Sequence, residues 1–236
     1  MPKYKRVLLK LSGETFLGKR EYGIDPQFTF WLAKEIIKAK QGDTQIGIVV
    51  GGGNIFRGDR AAEHGLERTV GDYIGMLATI MNALALQAAF EKEGQPARVL
   101  SAIDIKDVAE PYIRRRAIRH MEKGRVVIFA AGSGNPYFTT DTAAALRALE
   151  IKAEIILKGT KVDGVYDKDP LKHKDAKKFE ELSFKEAITE NDIGIMDNSA
   201  LSLCMDHAIP ILVFDLHKED NIKKATNGEK VGTLIS

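Results

Sequence analysis

The feature that most constrains the fold is a regular alternation between short apolar runs and longer segments with helical spacing. The short runs are rich in Val, Ile and Leu and occur at Val7–Leu9, Ile46–Val50, Arg98–Leu100, Val126–Ala130, Glu154–Leu157 and Pro210–Phe214. Segments with helical periodicity lie between them, at Phe28–Ala39, Ile74–Phe90, Thr142–Glu150 and Ala200–Ala208. Nearly continuous apolar strands that alternate with helices are typical of a parallel sheet covered on both faces. The sequence therefore predicts an α/β fold with a mostly parallel central sheet and helices on both faces.

The composition is that of an ordinary globular protein. The chain has 236 residues, of which 44% are hydrophobic and 29% charged, and its net charge of +2 neither demands nor forbids a nucleic-acid partner. The single cysteine, Cys204, cannot form an intramolecular disulfide. Neither an apolar leader nor a run of membrane-spanning length stands out. We expect one cytoplasmic domain with two lobes over residues 1–236 and no membrane association.

Glycine-rich or strand-end loops follow four of the predicted strands. Their sequences are Lys10 to Gly13, Gly51 to Gly58, Gly132 to Pro136 and Lys158 to Thr160. In open parallel sheets, ligands bind at the carboxyl ends of the strands, and glycine lets backbone N–H groups approach an anion closely. A triple glycine alone is as well explained by a tight turn. Four loops at one edge of the sheet favour a site for phosphate groups.

Two familiar nucleotide-binding motifs do not fit. Residues 13–19 match most of a P-loop, but Arg20 stands where that motif needs the Ser or Thr that holds magnesium. The dinucleotide-binding fingerprint fails because Gly51 and Gly53 are followed by Phe56 where a third Gly or Ala is required. The sequence supports neither a P-loop NTPase nor a Rossmann dehydrogenase.

Charged side chains at these strand ends indicate the chemistry. Lys10 lies in an apolar strand and Lys158 holds a similar position, so both are expected to face an anion; an edge-strand lysine is the alternative for Lys10. Arg57 either contacts phosphate or is solvated. Asp141 either complements a helix dipole or orients the two lysines. Two cations at one site suit phosphoryl transfer between two phosphate-bearing molecules, which needs positioning and positive charge.

The sequence resembles the bacterial UMP kinases of the amino acid kinase superfamily. The resemblance runs from Tyr4 to about Ile235, and its motifs are Leu9 to Glu14, Gly51 to Asn54 with Phe56 to Gly58, Gly71-Asp72 with Gly75 to Thr79, Gly134 to Pro136 with Phe138 to Asp141, and Lys161 to Val165. It implies an amino acid kinase-like α/β/α sandwich. It also implies phosphoryl transfer from ATP to UMP in pyrimidine nucleotide biosynthesis, Mg²⁺ with ATP, and a homohexamer assembled from dimers.

The resemblance also assigns residues by position. The implied catalytic residues are Lys10, Asp141 and Lys158. The implied ATP-binding residues are Lys10, Leu11, Ser12, Gly13, Gly53, Arg57, Thr160, Tyr166 and Asp169. The implied UMP-binding residues are Gly52, Asp72, Ser133, Gly134, Asn135, Pro136, Tyr137, Phe138, Thr139 and Thr140. Asp72 would meet the ribose hydroxyls, with a helix N-cap as its alternative role. No residue is assigned as a direct metal ligand.

Regulation and other functions remain as further expectations. The segment from Gly18 to Gly23 matches in position a stretch that relatives use for regulation by GTP, so GTP activation and UTP inhibition are expected from the resemblance alone. The alternative function is that of another enzyme of this fold, which phosphorylates a carboxylate or carbamate. A third interpretation is a non-catalytic nucleotide sensor. The basic run Arg114 to Arg116 lacks interleaved aromatic residues, which argues against nucleic-acid binding as the main function.

Overall fold

A computed structural model describes residues 2–40, 42–57, 65–170, 172–189 and 195–236. Gly58, at the end of the second glycine loop, lies outside these residues. The strands of the described part are β1 (Arg6–Leu11), β2 (Gln45–Val50), β3 (Ala97–Ser101), β4 (Glu110–Pro111), β5 (Val126–Ala130), β6 (Ile155–Thr160), β7 (Glu181–Leu182), β8 (Ile211–Asp215) and β9 (Gly232–Ile235). The helices are α1 (Pro26–Ala39), α2 (Arg68–Lys92), α3 (Arg114–Glu122), α4 (Thr140–Ile151), α5 (Phe184–Thr189), α6 (Asn198–Asp206) and α7 (Asn221–Thr226).

The strands form one sheet in the order β4-β3-β5-β2-β1-β6-β8-β9-β7. Neighbouring strands pair in parallel except for β8 and β9, which are antiparallel. β1 lies at the centre of this sheet, between β2 and β6. The alternative that Lys10 is an edge-strand lysine is therefore wrong.

Helices cover the sheet on both faces. Apolar residues of α1, α2 and α7 pack on one face of the central strands, and those of α3, α4, α5 and α6 pack on the other. The central strands are buried on both faces, which explains their continuous apolar sequence. The predicted α/β class with a mostly parallel sheet is confirmed.

Local signals set several helix boundaries. Asp25 caps α1 by accepting hydrogen bonds from the backbone N–H groups of Gln27 and Phe28, and Pro26 occupies the first helical position. At the start of α5, Ser183 and Glu186 exchange the bonds of a capping box, as their spacing in the sequence predicts. α2 begins at Arg68, before the predicted start at Ile74, and the sequence pattern does not predict β4, β7 or β9.

α2 is longer and more apolar than its sequence pattern predicts. Its most apolar window has a mean hydropathy of 1.5, so by length and composition it could cross a membrane, which corrects the expectation that no segment approaches that length. Half of this window is buried inside the protein. The core helix of a globular protein can have the same length and hydropathy, and α2 packs in this way against the sheet.

A pair of buried amides fastens the second glycine loop to α2. The side chains of Asn54 and Asn82 exchange two hydrogen bonds of 2.8 and 2.9 Å. Asn82 also donates to the carbonyl of Gly51 at 2.7 Å, and Asn54 donates to the carbonyl of Gly23 at 2.9 Å. Both side chains are buried, so water cannot reach their polar atoms, and these bonds satisfy the polar groups instead.

Replacing Asn82 tests this link. The substitution Asn82→Ala leaves the carbonyl of Gly51 and the amide of Asn54 without this partner, so we expect it to lower the free energy of unfolding by about 2–4 kcal/mol. The matched control is Gln87→Ala on the same helix, which removes an exposed bond to Glu91 and should change stability by less than about 0.5 kcal/mol. Urea denaturation followed by circular dichroism measures both. An equal loss of unfolding free energy in the two variants would contradict the role of Asn82 in linking the loop to α2.

Candidate functional site

Two adjacent cavities open at the carboxyl ends of the central strands. The first has a volume of about 380 Å³ and is lined by the first three glycine loops and by α2. The second, of about 250 Å³, is lined by the end of β6 and the loop that follows it. Lys10 lines the first cavity and Lys158 lines the second. The boundary between the cavities thus follows the junction of β1 and β6.

A carboxylate joins the two lysines at this boundary. Lys10 and Lys158 are direct neighbours in the pairing of β1 with β6, so their side chains project from the same face of the sheet. Asp141, in the first turn of α4, lies over that face. Its Oδ1 is 2.7 Å from the Lys10 ammonium, and its Oδ2 accepts a hydrogen bond of 3.1 Å from Lys158. The three side chains, which we call the Lys–Asp–Lys cluster, are less than a fifth exposed.

Burial and mutual attraction set the charges of this cluster. Burial alone would raise the pKa of Asp141, but the attraction of the two ammonium groups outweighs it, and the pKa is lowered from its usual value. Burial, together with the like charge of Lys10, lowers the pKa of Lys158 to about 8, although Asp141 acts in the opposite direction. At neutral pH the cluster therefore has one positive charge in excess at the boundary of the cavities.

The start of α4 is held in place by two side chains. The Thr139 hydroxyl caps the helix by accepting from the backbone N–H groups of Asp141 and Thr142 at 3.1 and 3.2 Å. Asp197 accepts hydrogen bonds from the Thr139 and Thr142 hydroxyls and also caps α6 through the N–H of Ala200. Asp197 is not among the predicted site residues, although an Asp just before a predicted helix is an N-cap signal.

The first two glycine loops pack backbone against backbone. A Cβ atom on Gly13 would lie 2.2 Å from the backbone nitrogen of Gly53, and one on Gly51 would lie 2.7 Å from that of Gly13. A Cβ atom on Gly52 would lie 2.7 Å from the carbonyl oxygen of Gly75. Gly53 differs, because the nearest atoms to a Cβ there would belong to the Arg57 side chain, 3.9 Å away. Packing of the fold thus requires glycine at 13, 51 and 52.

Buried side chains position the third glycine loop. The backbone N–H of Ala131 donates to the Thr79 hydroxyl at 2.7 Å. Arg147 donates to the carbonyl of Gly132 at 3.1 Å and to the carboxylate of Glu150 at 2.5 Å. Arg147 is only 4% exposed, so it is a fixed part of the wall behind the loop. The sequence offers no local signal for Arg147, whose partner in the loop is distant along the chain.

Asp72 connects α2 to the loop that follows β5. Its carboxylate accepts a hydrogen bond of 2.8 Å from the backbone N–H of Tyr137 and two of 2.9 Å from Arg68. Because α2 begins at Arg68 with Glu67 as its N-cap, the alternative role of Asp72 as a helix N-cap is wrong. The carboxylate instead lines the first cavity.

Arg57 is paired rather than simply solvated. Its guanidinium contacts the carboxylate of Glu14, which also accepts a hydrogen bond of 3.0 Å from Lys161. The hydrogen bond from Lys161, with the attraction of both cations, lowers the pKa of Glu14. These two cations therefore lie near the rim of the first cavity, which Arg57 and Glu14 line.

The structure divides the predicted site residues between the two cavities. The first cavity is lined by Lys10, Ser12, Gly13, Gly53 and Arg57 of the predicted ATP-binding set, and by Gly52, Asp72, Ser133, Asn135, Phe138, Thr139 and Thr140 of the predicted UMP-binding set. The second is lined by Thr160, Tyr166 and Asp169, with Lys158. Leu11 is buried in the core of the sheet. Gly134, Pro136 and Tyr137, in the loop between β5 and α4, are absent from both linings, and so is Asp141, which contacts a lysine of each cavity.

Known proteins share this architecture. The family model of the amino acid kinase family matches residues 5–215. A UMP kinase from Bacillus anthracis is 39% identical, with a TM-score of 0.95 over 100% of this chain and 97% of that chain. A UMP kinase from Ureaplasma parvum is 38% identical, with a TM-score of 0.91 over 99% of each chain. A uridylate kinase from Archaeoglobus fulgidus is 30% identical, with a TM-score of 0.74 over 100% of both chains.

The extent of these matches decides the family. The family model includes β1 to β8 and all three residues of the Lys–Asp–Lys cluster. The two bacterial structures align over nearly the whole length of this chain, so the similarity includes the loops around both cavities as well as the sheet. The chain belongs to the amino acid kinase family and, within it, to the UMP kinases.

Proposed function

We propose that this protein transfers the γ-phosphoryl group of ATP to UMP, giving ADP and UDP, in pyrimidine nucleotide biosynthesis. The observation that carries the proposal is the Lys–Asp–Lys cluster at the boundary of two cavities, because it supplies positive charge where two phosphate-bearing ligands would meet. The activity stated in the names of the UMP kinases that resemble this chain supports the choice of acceptor.

The lining of the cavities supports an assignment of the two nucleotides. UMP occupies the first cavity, with Asp72 toward its ribose hydroxyls, because a carboxylate accepts two hydroxyl hydrogens. ATP occupies the second cavity with its nucleoside near Tyr166, and its phosphates extend toward Lys158 and Lys10. In this assignment the single domain has an acceptor lobe and an ATP lobe, which share the Lys–Asp–Lys cluster.

The reaction requires little covalent chemistry from the protein. A phosphate oxygen of UMP forms a bond to the γ-phosphorus of ATP, and the bond from that phosphorus to the β-phosphate oxygen breaks, with both electrons leaving on ADP. The nucleophile is already an anion, so no general base is required. Lys10 and Lys158 stabilise the negative charge on the transferring group, and Asp141 holds the two ammonium groups in place.

Magnesium fits this site as the partner of ATP. Asp141 Oδ1 is buried and accepts no well-directed hydrogen bond from the described residues, although it is ion-paired with Lys10. A carboxylate oxygen with an unused lone pair is a ligand type that Mg²⁺ prefers. When bound with ATP, Mg²⁺ would neutralise charge on the phosphate oxygens. Asp141 would then orient the ion as well as the lysines.

The other candidate functions gain no support. Arg114 and Arg116 of the basic run contact the backbone of Glu150 and the carboxylate of Glu110, respectively, which is typical of an intramolecular surface network. No observation favours a carboxylate or carbamate acceptor. We propose a cytoplasmic enzyme without a nucleic-acid partner.

The described residues include an exposed apolar stripe on α2 that supports self-association. Val70, Tyr73, Leu77 and Met81 recur at helical spacing and are each about half exposed. We propose that two copies of this helix pack together in a dimer and that dimers assemble into the homohexamer.

Light scattering should give six times the chain mass of 26.1 kDa. The substitution Leu77→Asp should dissociate the dimer contact, and a monomeric wild-type protein would contradict the proposal.

Regulation is proposed on position alone. The segment from Gly18 to Gly23 lies on the surface beside α1, and Tyr22 within it is 68% exposed. Activation by GTP and inhibition by UTP would be read directly as changes in the rate of ADP formation. An unchanged rate with either nucleotide would remove that effector.

A coupled assay for ADP formation tests the proposed function. With ATP and magnesium, we expect turnover of UMP and about 10- to 100-fold lower kcat/KM for dUMP, because Asp72 would then face a missing hydroxyl. CMP and acetylglutamate serve as alternative acceptors in the same assay. Activity with acetylglutamate alone would overturn the acceptor assignment, and equal use of UMP and dUMP would remove Asp72 from ribose recognition.

The pKa of Lys158 predicts a pH dependence. The ammonium is charged below about pH 8 and neutral above it, so kcat/KM for ATP should fall as the pH rises through this value. The phosphate groups lose their last proton with a pKa of about 6 and are nearly fully ionised by about pH 7, so they do not produce this decline. In the variant Lys158→Arg, the guanidinium stays charged, and any residual activity should be independent of pH between 7 and about 9.5. The same decline in both proteins would exclude Lys158 as its source.

A further inference from the structure

A helical glycine in the first cavity has no role that the fold explains. Gly75 lies inside α2, several residues from either end. Glycine at an interior helical position destabilises the helix relative to alanine, because the unfolded chain loses more conformational freedom on folding. A glycine there is expected to have a compensating reason in packing, in backbone conformation or in ligand binding.

Neither packing nor backbone conformation supplies that reason. Apart from its chain neighbours and the backbone of its own helix, a Cβ atom on Gly75 would have no atom within 4 Å, whereas one on Gly13 or Gly52 would overlap backbone atoms. Gly75 is also absent from the glycines with positive φ, so any L-residue can adopt its conformation. The close approach of Gly52 to the Gly75 carbonyl restricts residue 52, not residue 75.

The position of Gly75 supplies a ligand-based reason. It lines the first cavity together with Asp72, Met76 and Thr79, which lie on the same face of α2 within about one turn of it. This face is opposite to the exposed stripe that contains Tyr73 and Leu77. The space that a side chain at position 75 would fill is therefore the space of the cavity.

We propose that Gly75 is a specificity-determining residue for the acceptor, because the nucleoside part of UMP lies directly against the backbone of α2 at this position. The inference rests on the proposed function, which places UMP in the first cavity and its ribose at Asp72. A side chain at Gly75, about one turn along the helix from Asp72, would occupy the volume that the sugar and base need. The glycine thus serves the ligand at the expense of helix stability.

The substitution Gly75→Ala separates the two roles. We expect the melting temperature to stay the same or to rise, because alanine favours the helix and has free space in the unliganded protein. The KM for UMP should rise about tenfold or more, because the methyl group overlaps the bound nucleoside. The KM for ATP should change less than about twofold. Gly75→Leu should enlarge the effect on UMP further, and calorimetric titration of UMP without ATP should show the same loss of affinity.

A matched control comes from the same helix. Ala88 is exposed in α2 and absent from the linings of both cavities, so Ala88→Gly should lower the melting temperature and leave the KM for UMP unchanged. An unchanged KM for UMP in Gly75→Ala would overturn the inference. If the melting temperature also fell, the fold and not the ligand would require the glycine. Wild-type protein that fails to phosphorylate UMP would instead overturn the proposed function and, with it, the acceptor assigned to Gly75.

Discussion

Two ammonium groups held side by side in a buried region repel each other and lose hydration, so they require a carboxylate within contact distance. Asp141 meets this requirement for Lys10 and Lys158, and the rest of the site follows from the arrangement. The pairing of β1 with β6 places the two lysines next to each other. The start of α4 places the carboxylate over them, and Thr139 and Asp197 fix that start. The sheet centre and one helix terminus together produce a positive boundary between two cavities.

The glycines around this boundary serve different purposes. At Gly13, Gly51 and Gly52, a side chain would collide with backbone, so these residues allow the loops and α2 to approach one another. At Gly53, which also lines the first cavity, a Cβ atom would make only an ordinary contact with the Arg57 side chain, and at Gly75 it would meet open space. The first group belongs to the architecture of the site, and we propose that the second group leaves room for its ligands. A glycine-rich sequence therefore contains two kinds of information that only the three-dimensional structure separates.

The sequence predicts the central part of the fold because the apolar runs of buried strands are local signals. It also predicts that Lys10 and Lys158 lie at one site, since the carboxyl ends of parallel strands share an edge. It does not predict β4 and β7, which are two residues long. The roles of Asn82 and Arg147 are not predicted either, because their partners lie 28 and 15 positions away. The N-cap role of Asp197 has a local signal, but its contact with Thr142 joins residues 55 positions apart. Their side chains become informative only when the strands and helices are placed in space.

A crystal structure with UMP and a non-hydrolysable ATP analogue tests the central claim most directly. We predict UMP in the first cavity and the analogue in the second, with its terminal phosphate within hydrogen-bond distance of both Lys10 and Lys158. We also predict that Asp141 keeps its contact with each lysine and that the nucleoside of UMP touches α2 at Gly75. A terminal phosphate bound away from the two lysines, or both nucleotides within one cavity, would contradict it.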